Sequence, residues 1–135
     1  MKKAVIYWSA TGNTEAMAKA IAEAANAELY TVADFSGNVE DYDALAFGCP
    51  AMGAEVLEEG EFEPFFTAVE GKLAGKKVVL FGSYGWGDGE WMREWESRCR
   101  AQDITLVNDA GLIANEMPDD DALAQCRELG KALAE

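Results

Sequence analysis

A three-layer α/β/α sandwich on a five-stranded parallel sheet, in the spatial order 2-1-3-4-5, is the fold this sequence predicts, and three observations predict it. Short continuous apolar runs recur along the chain, stretches with helical spacing separate them, and half of the 135 residues are apolar. Runs without polar alternation suit parallel strands covered on both faces, because a parallel pair can be joined only by a crossover over one face of the sheet. The length suits one compact domain over residues 1–135.

The elements follow in order. Ala4-Val-Ile-Tyr-Trp8 reads as the first strand, and Met17, Ile21 and Ala24 to Ala25 then fall at helical intervals. Glu28 to Val32 alternates instead, with Leu29, Tyr30 and Val32 among polar neighbours, as a strand at a sheet edge does. Ala44-Leu-Ala-Phe47 and Val78-Val-Leu-Phe81 supply the third and fourth strands. Trp91, Trp95 and Cys99 mark the core side of the helix after the fourth, and Gly111-Leu-Ile-Ala114 is the fifth strand. Pro118 closes that segment. Asp119, Asp120 and Asp121 complement the positive end of a last helix, whose apolar stripe is Leu123, Cys126 and Leu129 to Leu133. On this reading a helix follows strand five times. Ligands of such open sheets sit beyond the carboxyl ends of the strands, where the winding reverses between strands one and three. That places the candidate site in loops 8–14, 48–61 and 82–89.

The first loop, Ser9-Ala10-Thr11-Gly12-Asn13-Thr14, leaves a strand and opens a helix with three hydroxyls, an amide side chain and a run of backbone N–H groups. This is the composition of an anion cradle. It holds no Lys or Arg, so a phosphate here would be held by amide dipoles and hydroxyls, and the ATP-type loop, which needs a lysine, is disfavoured. Alone, Thr-Gly-Asn fits a capped turn equally well. The second loop, Cys49-Pro50-Ala51-Met52-Gly53-Ala54-Glu55, combines a turn glycine, an exposable Met and a carboxylate. Glu58, Glu59, Glu61 and Glu63 beyond it read mostly as a solvated face. The third, Ser83-Tyr84-Gly85-Trp86-Gly87-Asp88-Gly89, sets two aromatic rings among three glycines. Rings so placed are costly to leave bare, which points to something flat covering them.

Asp and Glu number 25 against 11 Lys and Arg, a formal charge of -14, so nucleic acids and anionic membranes are poor partners and basic protein surfaces natural ones. Cys49, Cys99 and Cys126 are an odd set without metal-like spacing, as expected of reduced buried thiols in a cytoplasmic protein. No signal-peptide pattern and no membrane-length apolar run is present.

Taken together, Thr11-Gly-Asn-Thr14, Pro50-Ala-Met-Gly53 and Gly82-Ser-Tyr-Gly-Trp-Gly87 resemble the flavodoxins, in particular the short-chain type of clostridial and related anaerobes, and the resemblance runs from Ala4 to Asn115-Glu-Met-Pro-Asp119. It implies a flavodoxin-like fold and a low-potential, one-electron carrier with non-covalent FMN rather than an enzyme. By that resemblance Ser9, Ala10, Thr11, Gly12, Asn13 and Thr14 would hold the phosphate. Met52 and Trp86 would sandwich the ring, and Glu55 would accept from its N3–H. Pro50, Ala51, Gly53 and Ala54 would line the adjoining turn, with Ser83, Tyr84, Gly85 and Gly87 along the pyrimidine edge and ribose. Pro50 lacks a hydroxyl that some relatives place there. The resemblance also implies a stabilised semiquinone, helped by a peptide flip at Gly53; were that turn of type II, Ala54 would take a positive φ better suited to glycine. Partners would be basic-faced reductases and acceptor oxidoreductases, met transiently by a monomer.

Three rivals share the topology. A phosphorylatable receiver domain needs acidic residues after strand one and an Asp ending strand three, where this chain has Trp8-Ser9 and Gly48-Cys49. An FMN-dependent quinone reductase would need acid–base groups, and the chain has no histidine. A ribonucleotide-reductase activating flavoprotein, a specialist carrier of the same fold, remains as the other alternative.

Overall fold

The computed structural model describes residues 1–135. Its elements are β1 (Lys3–Tyr7), α1 (Asn13–Ala25), β2 (Glu28–Thr31), β3 (Ala44–Gly48), α2 (Phe62–Val69), β4 (Lys77–Tyr84), α3 (Glu90–Ala101), β5 (Thr105–Leu106), β6 (Leu112–Asn115) and α4 (Asp120–Ala134), with short 3-10 turns at Val39–Asp41 and Glu70–Lys72. Every strand pairing is parallel, in the order β2-β1-β3-β4-β5, and β6 also pairs with β4.

The expected order therefore holds, with two corrections. The fifth strand is two pieces on one edge: Val78 of β4 faces Leu106, and Phe81 already faces Leu112. The edge chain spends twice as many residues as β4 between those points, so Val107–Gly111 bulges out of the ladder. Nor does a helix follow every strand. The crossing from β2 to β3 carries only the 3-10 turn Val39–Asp41, capped by the Asn38 side chain, which accepts from the Glu40 amide at 3.0 Å.

The strands β1, β3 and β4 are buried on both faces because each feeds two cores. On one face Val5, Ala46 and Phe81 meet Met17 and Ile21 of α1 and Cys126, Leu129 and Leu133 of α4. On the other, Ile6, Phe47 and Leu80 meet Phe62 and Phe66 of α2 and Trp91, Trp95 and Cys99 of α3. Trp95 stands edge-on to Phe62 and Phe66 at 5.3 and 5.5 Å. The three cysteines are buried and unpaired, and burial pushes their thiols up, to about 12 for Cys49 and Cys99 and about 11 for Cys126. No helix is long and apolar enough to cross a membrane.

Acidic residues do structural work at the helix ends: Asp119 where a helix-end role was expected, and Glu58 where a solvated face was. Asp119 caps α4, accepting from the Ala122 amide at 2.8 Å. Glu58 opens α2, accepting from the amides of Gly60, Glu61 and Phe62 at 2.7, 2.7 and 2.8 Å. Desolvation alone would raise the Glu58 carboxyl; the three amides outweigh it and hold it below the ordinary carboxylate range. Arg98 likewise lowers Glu63, donating to it at 2.8 Å. A folded-state value below the unfolded one, near 4.3 for Glu, contributes stability above that pH and loses it as pH falls through the folded value. Glu58→Gln should accordingly lower stability at pH 7 by about 1 kcal/mol in urea denaturation, and the gap from the parent should narrow toward pH 3.

Candidate functional site

The three loops converge at the carboxyl edge of the sheet. A cleft of about 350 Å³ there is lined by Ser9, Ala10, Thr11, Asn13 and Thr14, by Pro50, Ala51 and Met52, by Ser83, Tyr84 and Gly85, and by Glu116. Gly12, Gly53, Ala54, Glu55, Trp86 and Gly87 stand outside that lining.

The first loop is held open by its own side chains. Ser9 Oγ accepts from the amides of Gly12 and Glu15 at 3.2 and 3.3 Å, so it caps α1 from outside the helix. Gly12 turns the chain into the helix with φ 97, a conformation that disfavours any residue with a Cβ. The amides of Ala10, Thr11, Asn13 and Thr14 find no acceptor within the chain. No Lys or Arg lines the cleft. Four free donors at a helix start, with hydroxyls and no cation, make an electroneutral anion cradle. Thr14 differs from its neighbours: it is buried, its Oγ1 pairs with Ser83 Oγ at 2.9 Å, and it accepts from the Ser83 amide at 3.3 Å. It ties the first loop to the end of β4.

The second loop is a miniature hairpin. The Met52 and Val56 backbones exchange hydrogen bonds of 2.8 and 2.9 Å around Gly53, Ala54 and Glu55. Left-handed φ values fall at Gly53 (50) and Glu55 (56), and not at Ala54, in this conformation of the turn. The physical reason is the pull on Glu55. Glu55 is 7% exposed, and its carboxylate accepts from the Asp88 amide at 3.2 Å and the Trp91 amide at 3.3 Å, capping α3 from the opposite loop. Gly87 is the complement, because a Cβ there would overlap Glu55 Oε1.

In the third loop the two rings part company. Tyr84 is half-buried, 5.7 Å from Trp91 and tilted by 47°, while Trp86 is 65% exposed. Trp91 is buried and donates from its indole N–H to the Cys49 carbonyl at 3.1 Å. The sequence reading missed Glu116. It enters from the loop after β6, where its amide donates to the Tyr84 carbonyl at 2.7 Å; a fourth loop at the same carboxyl edge, ending in Pro118, was the signal that could have found it.

An open parallel sheet with free helix-start amides and no cation at its reversal point, and an exposed indole in a neighbouring loop, defines a small α/β protein of the mononucleotide-binding class. The flavodoxin family model matches residues 5–130. The flavodoxin of Megasphaera elsdenii is 50% identical over 96% of both chains, and that of Clostridium beijerinckii 45% identical over 96% of this chain and 97% of its own. The solution structure of two-electron reduced Megasphaera elsdenii flavodoxin superposes with a TM-score of 0.87 over 98% of each chain at 47% identity. A flavodoxin from the domain Archaea does so at 0.88 with 27% identity, over 99% of this chain and 96% of its own. The chain belongs to the flavodoxin family, whose members are FMN-binding electron carriers rather than enzymes.

The Glu55 cap can be tested apart from any ligand. Glu55→Ala leaves the Asp88 and Trp91 amides without an acceptor. It should lower the stability of the FMN-free protein by about 1 kcal/mol in urea denaturation, with Glu55→Gln losing less.

Proposed function

We propose that this chain holds one FMN non-covalently in the cleft and works as a low-potential carrier passing single electrons between redox proteins. The observation that carries the reading is the set of four amides left without acceptors at the start of α1, in a loop with no cation. Such donors suit a phosphate ester. Ser9, Thr11, Gly12 and Asn13 complete that subsite, while Thr14 and Ser83 hold it against β4. Met52 and Trp86 offer the two apolar faces for the ring, with Pro50 and Ala51 on one side and Tyr84, Gly85 and Gly87 on the other. Each Glu55 carboxylate oxygen accepts one amide in the folded chain and retains capacity for a further N–H donor, so capping α3 and meeting the ring's pyrimidine edge are compatible.

Bound FMN would supply the redox chemistry. The chain's part is to bind, to orient and to set the electrostatic balance. A net charge of -14 and a subsite without cations disfavour added negative charge on the ring, which lowers its potential. The same charge suits weak, transient encounters of a cytoplasmic monomer with basic faces of reductases and acceptors. Nothing in the cleft favours the quinone reductase or the ribonucleotide-reductase activator over this reading.

Titrating FMN into the cofactor-free protein should quench the flavin fluorescence at one equivalent, and Trp86→Ala should weaken binding roughly tenfold, the order of one lost aromatic stack. A chain that leaves flavin fluorescence unchanged overturns the proposal. Electron transfer from a basic reductase, followed by stopped flow, should slow as ionic strength rises.

A further inference from the structure

We propose that a second hollow, on the β2 side of the first loop, is the docking pocket for an arginine side chain of a basic redox partner. The inference rests on the FMN reading for the anion beside it and names how a partner would approach that site. The hollow measures about 470 Å³ and shares Ser9, Ala10 and Thr11 with the cofactor cleft. Its other walls are Trp8, Glu15, Glu61 and the chain leaving β2 at Thr31 to Ala33.

Its chemistry is that of a cation receptor. The Trp8 indole N–H donates to Glu61 Oε1 at 3.2 Å, which fixes the plane of the indole and leaves the second carboxylate oxygen available. The Tyr7 hydroxyl donates to Glu15 Oε2 at 2.9 Å, orienting the second carboxylate in the same way. Lys19 is the only cation paired with either group, 4.0 Å from Glu15 and well exposed. Burial first, then the hydrogen bond to Glu15 and the charges of Glu15 and Asp34, push the Tyr7 hydroxyl up to about 12, so it stays a donor to Glu15. A hollow whose walls include an indole and two carboxylates, each held by a hydrogen bond, suits a planar guanidinium better than a compact ammonium, because the guanidinium can stack and donate to two acidic partners at once. A phosphate held in the adjoining loop would add a third anion for which this chain supplies no cation. An arginine from the partner would supply it.

The test uses the ¹⁵N-labelled chain loaded with FMN, with loading checked by fluorescence quenching, titrated with an acetylated, amidated tri-arginine peptide and its tri-lysine counterpart. Saturable shifts are expected at the Trp8 indole N–H and the Ala10 and Thr11 amides, with tighter binding of the arginine peptide. Glu61 makes no side-chain capping bond to α2, so Glu61→Gln should keep the fold and weaken binding roughly threefold; the double variant with Glu15→Gln should weaken it about tenfold. An unmoved Trp8 signal while other acidic faces shift, or an affinity unchanged in the double variant, overturns the proposal. Failure of the FMN reading would show separately, as no loading, and the peptide titration of the unloaded chain would still report on the pocket.

Discussion

The free amides at the start of α1, set in a cleft without a cation, are the constraint on which the proposed site depends. Amide dipoles at the start of a helix are worth about half a charge, and they act within the first turn, so they serve only where the loop keeps them aimed and uncommitted. Ser9 satisfies two amides from outside the helix, Gly12 turns the chain in a left-handed conformation, and the Thr14–Ser83 hydroxyl pair pins the assembly to β4. Each feature supports four donors that the fold itself leaves unpaired. The two-sided core is what makes this affordable in stability, since β1 and β4 are buried on both faces and deliver the loops from a rigid edge.

A second coupling runs between the loops that flank the cleft. Glu55 leaves one hairpin and caps the helix that follows the other, so the turn carrying Met52 and the loop carrying Trp86 are joined through one carboxylate. The positive φ at Glu55 is strain of the kind that persists only where the surroundings over-determine it, and here the two amides do so. Moving either loop therefore exposes a helix end, which links the geometry of the ring faces to the stability of α3.

Much of the fold was legible because parallel strands buried on both faces write themselves as apolar runs, and β1, β3 and β4 are such runs. Thr105–Leu106 was not legible, since two residues cannot show a period; nor was the replacement of a crossover helix by the turn at Val39–Asp41. The loops of the candidate site were found because topology names the carboxyl edge before any motif does. What sequence could not assign is which carboxylates work. Glu55 stood out only by resemblance. Neither its cap on α3 nor the three amides that Glu58 meets at the start of α2 could be told from the acidic stretch they share with Glu59, because which carboxylates meet unpaired amides is a property of helix starts brought near in space. In the turn after Met52 the left-handed conformation beyond Gly53 falls on Glu55, the residue whose side chain meets those amides, and not on Ala54.

Charge then orders these parts into one scheme. With no Lys or Arg lining the cleft, a phosphate ester held there would rest on dipoles and hydroxyls alone, and its field would stay uncompensated at the surface. That field is screened within about 10 Å at 0.1 M salt, so it acts at contact rather than at long range. Carboxylates such as Glu15 and Glu61, oriented by neighbouring donors beside the same loop, concentrate the field where an incoming basic group would meet an aromatic wall. The electrostatic deficit that lowers the potential of a bound ring and the attraction that brings its partner are thus one property of the loop between β1 and α1.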